Sequence, residues 1–204
     1  MVRNIILLSL HRSKQAKVKL LGSALKSPLM RIETLQTDLD LTDVHHLLFT
    51  SSNGVRAFAG LSDSRDIPAL CVGDRTADAA RAFGLNAISA QGSVAELAKL
   101  AINLGQDLSG CFLHLRGKHV AGNIGEDLAL SDLAIREAVI YNQRALPLAD
   151  DARAALTGIG KVILPLFSPR TAKLLMQQVG GRGLSNVTAI CISQNVADQL
   201  DPSE

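Results

Sequence analysis

The feature that most constrains the fold is residues 47–58, where an apolar run stops at a hydroxyl cluster and passes directly into a helical pattern. The run at residues 47–49 is of the kind found in parallel strands that are covered on both faces. Ser51, Ser52 or Asn53 can then cap the helix that follows. Such a tip presents backbone N–H groups at the positive end of a helix dipole, which suits carboxylates or phosphates.

The same strand, tip and helix return in residues 162–172, which predicts that the chain contains two related halves. In this alignment Phe167 corresponds to Phe49, and Ser168 corresponds to Thr50.

The strand and helix that come next in each half match more closely, because residues 69–78 align with residues 189–198 without gaps. Any parallel strand followed by a helix gives similar letters, so two unrelated units are the alternative interpretation. Together the two matches favour a duplicated α/β chain.

Composition limits the class of protein. The 204 residues suffice for one large or two small domains, and 47% of them are apolar. A net charge of +2 without any long basic run argues against a general nucleic-acid binder, and five Phe, one Tyr and no Trp leave few surfaces for base stacking. The apolar block at residues 5–8 is too short for a signal sequence or a membrane span, so we expect a cytoplasmic protein that binds neither nucleic acid nor membrane.

The cysteines and the paired histidines do not suggest a metal site. Cys71, Cys111 and Cys191 are odd in number, far apart and each inside an apolar run, which favours reduced core thiols. His45 and His46 are adjacent at the start of a strand, so we expect their rings to point to opposite faces and not to share a metal.

Strands and helices alternate from residue 46 onward, which implies βαβ units and parallel sheets. The predicted strands cover residues 4–10, 46–50, 68–73, 86–90, 111–116, 135–141, 161–167 and 187–192. The predicted helices cover residues 53–61, 75–84, 93–104, 122–130, 150–157, 169–179 and 195–200, preceded by a basic helix that includes Leu25.

Two segments that interrupt this pattern predict the domain organisation. An acidic run at residues 38–43 and a segment around Pro147 mark two crossings between domains. We therefore predict an α/β fold of two similar domains, each a parallel sheet flanked by helices, joined by a two-strand hinge. Residues 1–34 with 148–204 form domain 1, and residues 35–147, including both crossings, form domain 2, which is inserted into the first.

Hydroxyls, amides and a few cations follow the predicted strand ends, together with a glycine and a proline beside them. The carboxyl ends of parallel strands form the binding edge of a sheet, so these residues are candidates for holding a polyanion. Ordinary helix capping is the alternative for each of them. They are Thr50, Ser51, Ser52, Asn53, Thr76, Arg116, Gly117, Ser168, Pro169 and Arg170.

Five short stretches resemble the successive signatures of the uroporphyrinogen-III synthase family, in the family's order and at compatible spacing. They are residues 49–55 (FTSSNGV), 72–77 (VGDRTA), 113–117 (LHLRG), 139–141 (VIY) and 167–169 (FSP). The resemblance covers most of the chain.

The resemblance implies a cofactor-independent hydro-lyase of heme biosynthesis, built from two domains that bind linear hydroxymethylbilane. The family's enzymes expel water from the terminal hydroxymethyl group, invert the last pyrrole ring through a spiro intermediate and close the ring to uroporphyrinogen III. Tyr141, the only tyrosine, matches the family's tyrosine at the domain crossing and is expected to donate a hydrogen bond to the departing hydroxyl. Packing is the alternative role for Tyr141.

The chain also departs from the family pattern. Val196 stands where the family usually has a threonine, and relatives usually continue beyond Glu204 with a further strand and helix. These departures favour a second interpretation, a non-catalytic two-domain protein that binds a tetrapyrrole or another polycarboxylate. In either case we expect a monomer, and for the enzyme a transient contact with the preceding deaminase.

Overall fold

The computed structural model describes residues 2–7, 23–106, 108–119, 124–180 and 184–200. The strands in chain order are β1 (Val2–Leu7), β2 (Ser23–Lys26), β3 (Met30–Thr34), β4 (Val44–Phe49), β5 (Ala69–Cys71), β6 (Ala87–Ser89), β7 (Cys111–Gly117), β8 (Ile135–Ala145), β9 (Lys161–Leu166) and β10 (Val187–Cys191). The helices are α1 (Ser52–Leu61), α2 (Asp74–Ala82), α3 (Val94–Gly105), α4 (Ile124–Ala129), α5 (Asp150–Thr157), α6 (Pro169–Val179) and α7 (Gln194–Ala197), and a 3-10 turn covers Asp198–Leu200.

The chain divides into two compact units. Unit 1 comprises Met1–Arg31 and Arg144–Glu204, and unit 2 comprises Ile32–Gln143. The two divisions fall inside β3 and β8, which are neighbours in one sheet. The predicted domain boundaries after residues 34 and 147 remain a prediction.

Each unit is built on its own sheet. Among the described residues, unit 1 contains a four-stranded sheet in the order β10-β9-β1-β2, in which every neighbouring pair is parallel. The second sheet, in the same described part of the chain, has the order β3-β8-β7-β4-β5-β6, and β8, β7, β4, β5 and β6 run parallel to one another. The α/β class and the alternation of strands and helices from residue 46 onward are confirmed, with element ends shifted by a few residues.

Strand β4 lies at the centre of unit 2 and is covered on both faces. Leu47 and Phe49 pack on one face against α1 and α2, whereas Leu48 packs on the other face against α3 and α4. All three side chains are fully buried. This arrangement explains why the run is apolar at every position instead of alternating.

The predicted register between the two halves is wrong by one residue. Ser51 and Ser168 are the N-caps of α1 and α6, with nearly the same backbone angles (φ −156°, ψ 142° and φ −155°, ψ 145°). Ser168 therefore corresponds to Ser51 and not to Thr50. The two phenylalanines do not correspond, because Phe49 is the last residue of β4 whereas Phe167 lies beyond the end of β9.

The gap-free match of residues 69–78 with 189–198 agrees with the structure. Cys71 and Cys191 each end a strand, and α2 and α7 each begin three residues later. The backbone N–H of the next residue donates to the last residue of the neighbouring strand in both units, from Val72 to Phe49 and from Ile192 to Leu166.

Two elements near the sheet edges differ from the expectation. Leu25 lies in β2, paired in parallel with Ile6 of β1, and not in a helix; the rest of that predicted helix lies outside the described residues. Strand β8 also continues to Ala145 instead of ending at 141. In both places strand pairing overrides the local pattern of apolar spacing.

The expectation that the His45 and His46 rings point to opposite faces is wrong. The β4–β7 register shifts between Val44 and His46, which is an irregularity of the β-bulge type, so the strict alternation of side chains is interrupted there. The two Nδ1 atoms lie 3.0 Å apart, and both rings contact Phe112. Burial lowers the pKa of both histidines.

The cysteine prediction holds for two of the three thiols. Cys71 and Cys111 are buried, whereas Cys191 is only partly buried, because β10 lies at the edge of its sheet. All three are free cysteines. Burial raises the pKa of the Cys71 thiol to about 12, so this group is unreactive at neutral pH. No helix in the described part of the chain is long and apolar enough to span a membrane.

Candidate active site

The carboxyl ends of three parallel strands bring the candidate residues of unit 2 together. Strands β8, β7 and β4 are adjacent, and Gly117 of β7 pairs in register with Tyr141 of β8. Thr50 follows directly after β4, on the same edge of the sheet. We call this edge, defined by Thr50, Ser51, Gly117 and Tyr141, the unit 2 tip.

Ser51 is the residue that caps helix α1. Its hydroxyl accepts a hydrogen bond from the Asn53 N–H at 3.1 Å, and its extended backbone angles are those of an N-cap. Ser52 instead begins the helix, and its hydroxyl accepts a hydrogen bond from the Arg56 guanidinium at 3.2 Å. Of the three alternatives that the sequence left open, the structure selects Ser51.

Tyr141 is buried at the unit 2 tip, with only 4% of its surface exposed. Its phenol oxygen lies near the Ser51 side chain and the Gly117 backbone, and hydrogen bonding from these two groups favours the ionised form and so acts to lower its pKa. Burial raises the pKa of Tyr141, and these two hydrogen bonds only partly oppose that effect. The phenol therefore remains protonated at neutral pH.

Two glycines allow this arrangement through close contact. A Cβ atom at Gly117 would lie 2.6 Å from two carbons of the Tyr141 ring and 3.0 Å from its oxygen. A Cβ atom at Gly54, in the first turn of α1, would lie 2.8 Å from the Leu115 carbonyl oxygen. Both positions need glycine so that the tyrosine and the helix can approach β7.

Thr50 begins a chain of polar contacts that runs along the sheet. Its Oγ1 lies 3.4 Å from Nε2 of His114, and Nδ1 of His114 lies 3.1 Å from Oε1 of Glu137. The guanidinium of Arg116 donates from Nε to Oε2 of the same glutamate at 2.7 Å. Arg116, which the sequence offered as a contact for an anion, thus already shares its charge with a carboxylate.

His114 and Glu137 are the site residues that sequence reasoning missed. They face each other as a register pair of β7 and β8, so the contact depends on strand pairing and not on sequence spacing. The available signal was His114 itself, a polar residue inside the apolar run of residues 111–115. Such a residue in a buried strand needs partners for its polar atoms.

The electrostatics of this pair favour a neutral histidine beside an ionised glutamate. Burial lowers the pKa of His114, although Glu137 opposes this effect. Burial alone would raise the pKa of Glu137, but the hydrogen bonds from His114 and Arg116 outweigh it and the pKa is lowered.

Thr76 lies in the first turn of α2, on the neighbouring strand-to-helix connection of unit 2. It is nearly buried, and its backbone N–H donates to the Gly73 carbonyl at 2.9 Å. Val196 occupies the corresponding position in unit 1, where its N–H donates to the Ser193 carbonyl at 3.1 Å. Val196 is fully buried.

The remaining candidates belong to unit 1. The Ser168 hydroxyl accepts a hydrogen bond from the Thr171 N–H at 3.2 Å and lies 2.7 Å from the Thr171 hydroxyl oxygen. Pro169 begins α6, where its missing N–H costs nothing, and Arg170 follows it. We call residues 167–171 the unit 1 tip.

No group of three or more His, Cys, Asp or Glu side chains within the described ranges is arranged to hold a metal ion. The arrangement at the unit 2 tip provides hydrogen-bond donors, a buried phenol and backbone N–H groups, which are suited to orienting an anionic substrate and assisting a leaving group.

The sequence matches the family described as uroporphyrinogen-III synthase HemD over residues 14–203. The chain belongs to the uroporphyrinogen-III synthase family. No curated protein sequence matches it. The activity is that of a uroporphyrinogen-III synthase, a cofactor-independent hydro-lyase of heme biosynthesis, as the resemblance implied.

Solved structures of uroporphyrinogen-III synthases share the fold. The enzyme from Helicobacter pylori 26695 superimposes with a TM-score of 0.73 at 22% identity, covering 98% of this chain and 88% of that chain. A mutant enzyme from the extremely thermophilic bacterium Thermus thermophilus gives a TM-score of 0.59 at 17% identity, again covering 98% of this chain and 88% of that chain.

Proposed function

We propose that the unit 2 tip is where this synthase acts on hydroxymethylbilane, with Tyr141 hydrogen-bonded to the hydroxyl group that leaves. The observation that carries the proposal is the burial of Tyr141 and the close packing of its ring on Gly117 at the carboxyl edge of the sheet, with Ser51 nearby. A ring held in this way directs its oxygen to one place, which is what assistance to a single departing group requires.

The first step needs a hydrogen-bond donor and no strong nucleophile. The C–O bond of the terminal hydroxymethyl group breaks, and the hydroxyl takes a proton from the solvent and leaves as water. The pyrrole nitrogen stabilises the azafulvene cation that remains, and the proton released at ring closure returns to the solvent. A Tyr141 phenol that stays protonated can donate to the departing oxygen throughout this step.

The second step depends on positioning. The cation is attacked by the substituted carbon of the last pyrrole ring, which forms the spiro intermediate, and the ring then reopens and closes in the inverted orientation with loss of a proton. Holding the linear chain so that this carbon, and not the unsubstituted one, meets the cation selects isomer III over isomer I.

The substrate's carboxylates are the proposed ligands of the remaining candidates. The first turns of α1 and α6 present backbone N–H groups beside Ser51 and Ser168, in a helix-dipole field that favours anions. Thr76 and Arg170 lie in the first turns of α2 and α6 and can add polar and charged contacts.

We further propose that the protein works as a monomer in the cytoplasm and meets the preceding deaminase only transiently. Three free cysteines are in keeping with a reducing compartment. Sedimentation at several concentrations, with and without the deaminase, tests the assembly state, and a stable dimer would contradict it.

The experiment is a coupled assay in which purified deaminase generates hydroxymethylbilane and the oxidised products are separated into isomers I and III. We expect mainly isomer III from the wild type and a strong loss of it in Tyr141→Phe. Isomer III that is unaffected by this change would leave Tyr141 with a packing role. Isomer I alone from the wild type would favour the non-catalytic binding protein instead.

A further inference from the structure

The contacts of His114 specify how the Thr50 hydroxyl is oriented. His114 is 3% exposed and lies between Thr50 and Glu137, with Nε2 3.4 Å from the threonine oxygen and Nδ1 3.1 Å from the carboxylate. The other carboxylate oxygen accepts from Arg116 at 2.7 Å. The imidazole is thus confined between one hydroxyl and one anchored carboxylate.

The anchored carboxylate decides which imidazole nitrogen carries the proton. An ionised carboxylate can only accept hydrogen bonds, so the His114 nitrogen that faces it, Nδ1, is the donor. Burial favours the neutral ring, whose second nitrogen then carries a lone pair. Nε2 therefore accepts, and the partner that can donate to it is the Thr50 hydroxyl.

We propose that His114 is a positioning residue for the cyclisation: its Nε2 takes the Thr50 hydroxyl proton as a hydrogen bond, so that the threonine oxygen offers only lone pairs to the substrate. This inference rests on the proposed function of the unit 2 tip. It assigns Thr50 a pyrrole N–H group as its ligand, and not a carboxylate.

The assignment distinguishes Thr50 from the other polar groups at this edge. The α1 N-terminus and the protonated Tyr141 phenol are donors, and they suit the carboxylates and the leaving hydroxyl. A linear bilane also carries N–H groups along its backbone, and these need an acceptor. A threonine fixed as an acceptor beside donors would set the orientation of a pyrrole ring as well as its place.

A double-mutant cycle tests the contact. His114→Asn retains an amide near the Nδ1 position but removes the Nε2 acceptor, so we expect a loss of about tenfold in kcat/KM, the equivalent of one hydrogen bond. In a Thr50→Val background the same His114 change should cause no further loss, because the hydroxyl that it orients is gone. Losses that multiply in the double mutant would overturn the proposal.

A conservative variant separates positioning from packing. His114→Gln places an amide oxygen near the position of Nε2, so it should recover part of the activity that His114→Asn loses, at similar thermal stability. Equal losses in both variants that follow their loss of stability would show a structural role and contradict the proposal.

Nitrogen NMR of the histidine side chains provides a readout that needs no substrate. The sequence has five histidines, and the signal that disappears in His114→Asn identifies the relevant ring. We expect a neutral ring protonated at Nδ1, with an Nε2 shift that moves in Thr50→Val; the opposite tautomer, or a doubly protonated ring at neutral pH, would contradict the inference. If the wild type yields isomer I only, the proposed function fails and so does the substrate assignment, while the NMR result still decides the His114–Thr50 contact.

Discussion

The unit 2 tip and the unit 1 tip share a backbone but differ in chemistry. Ser51 and Ser168 cap their helices at nearly identical angles, and each helix follows a strand whose last residue is fully buried. Around Ser51 the structure gathers a hydroxyl, a buried phenol and a polar chain that ends at Arg116. The residue before Ser168 is Phe167, and the third residue of the neighbouring helix α7 is Val196, where α2 of unit 2 has Thr76.

This difference indicates that the two tips have different roles. The two tips share what the backbone needs, namely the strand, the cap and the first helical turn. Among the described residues, a buried tyrosine and a contact between a histidine and a glutamate occur at the carboxyl edge of the unit 2 sheet and not at the unit 1 tip. We therefore propose that departure of the hydroxyl is assisted at unit 2 only, whereas carboxylates are bound in both units.

The largest effect is expected from Gly117→Ala, which pushes a methyl group into the Tyr141 ring. The 2.6 Å approach requires the ring to move, at a cost of about 1–3 kcal/mol in the free energy of unfolding, and kcat should fall sharply because the phenol is displaced. Gly60→Ala is the matched control, since a Cβ there meets nothing within 4 Å. Denaturant unfolding and the coupled assay measure both, and a Gly117→Ala enzyme equal to the control would contradict this packing.

A reciprocal exchange of Thr76 and Val196 makes helices α2 and α7 alike at corresponding positions. Val196→Thr puts a hydroxyl into a fully buried site and should lower the free energy of unfolding by about 1–3 kcal/mol if it finds no partner. Thr76→Val should leave stability nearly unchanged and raise KM several-fold, as a substrate contact is lost. If Val196→Thr instead lowers KM without destabilising the protein, unit 1 accommodates the hydroxyl that the family usually has, and the contrast between the tips is smaller than we infer.

Ser51 and Ser168 cap corresponding helices, so their alanine variants can be compared directly. Ser51→Ala and Ser168→Ala should each destabilise the protein by about 1 kcal/mol, because each removes one side-chain bond to a helix N–H. Only Ser51→Ala should also reduce kcat, since Ser51 contacts the Tyr141 phenol. Equal reductions of kcat in the two variants would argue against a special role for unit 2.

The smallest expected effect is a difference in acid sensitivity between the units. Burial lowers the pKa of His45, His46 and His114, all in unit 2, whereas the described residues of unit 1 include no histidine. Below the ordinary histidine pKa of about 6.5 the unfolded chain takes up protons that folded unit 2 resists, so stability is lost as the pH falls through this range. Hydrogen exchange at matched intrinsic rates should show protection in unit 2 falling more steeply than protection in unit 1 between pH 7 and pH 5, and a steeper fall in unit 1 would contradict it.

Local signals in the sequence were sufficient for much of this architecture. The buried run of β4, the capping serines and Pro169 at the start of α6 each act within a few residues, so their patterns predict the elements correctly. The repeat also predicted the correspondence between Cys71 and Cys191.

What the sequence did not predict depends on pairing between strands. The bulge at His45 changes which face the ring occupies, and only the β4–β7 register reveals it. The contact between His114 and Glu137 arises because β7 and β8 are neighbours in a particular register. Residue spacing in the sequence reveals neither feature. His114 and Glu137 lie on different strands with a helix between them, and the orientation of His45 depends on a shift in strand register.

The most direct test of the different roles of the two tips is a comparison of kcat and KM for Tyr141→Phe and Ser168→Ala in the coupled assay. If unit 2 carries the reaction, Tyr141→Phe should lower kcat by about a hundredfold with little change in KM, and the isomer III fraction should fall as uncatalysed closure competes. Ser168→Ala should mainly raise KM. A Tyr141→Phe enzyme with the wild-type kcat, or a Ser168→Ala enzyme with the larger loss of kcat, would contradict the account.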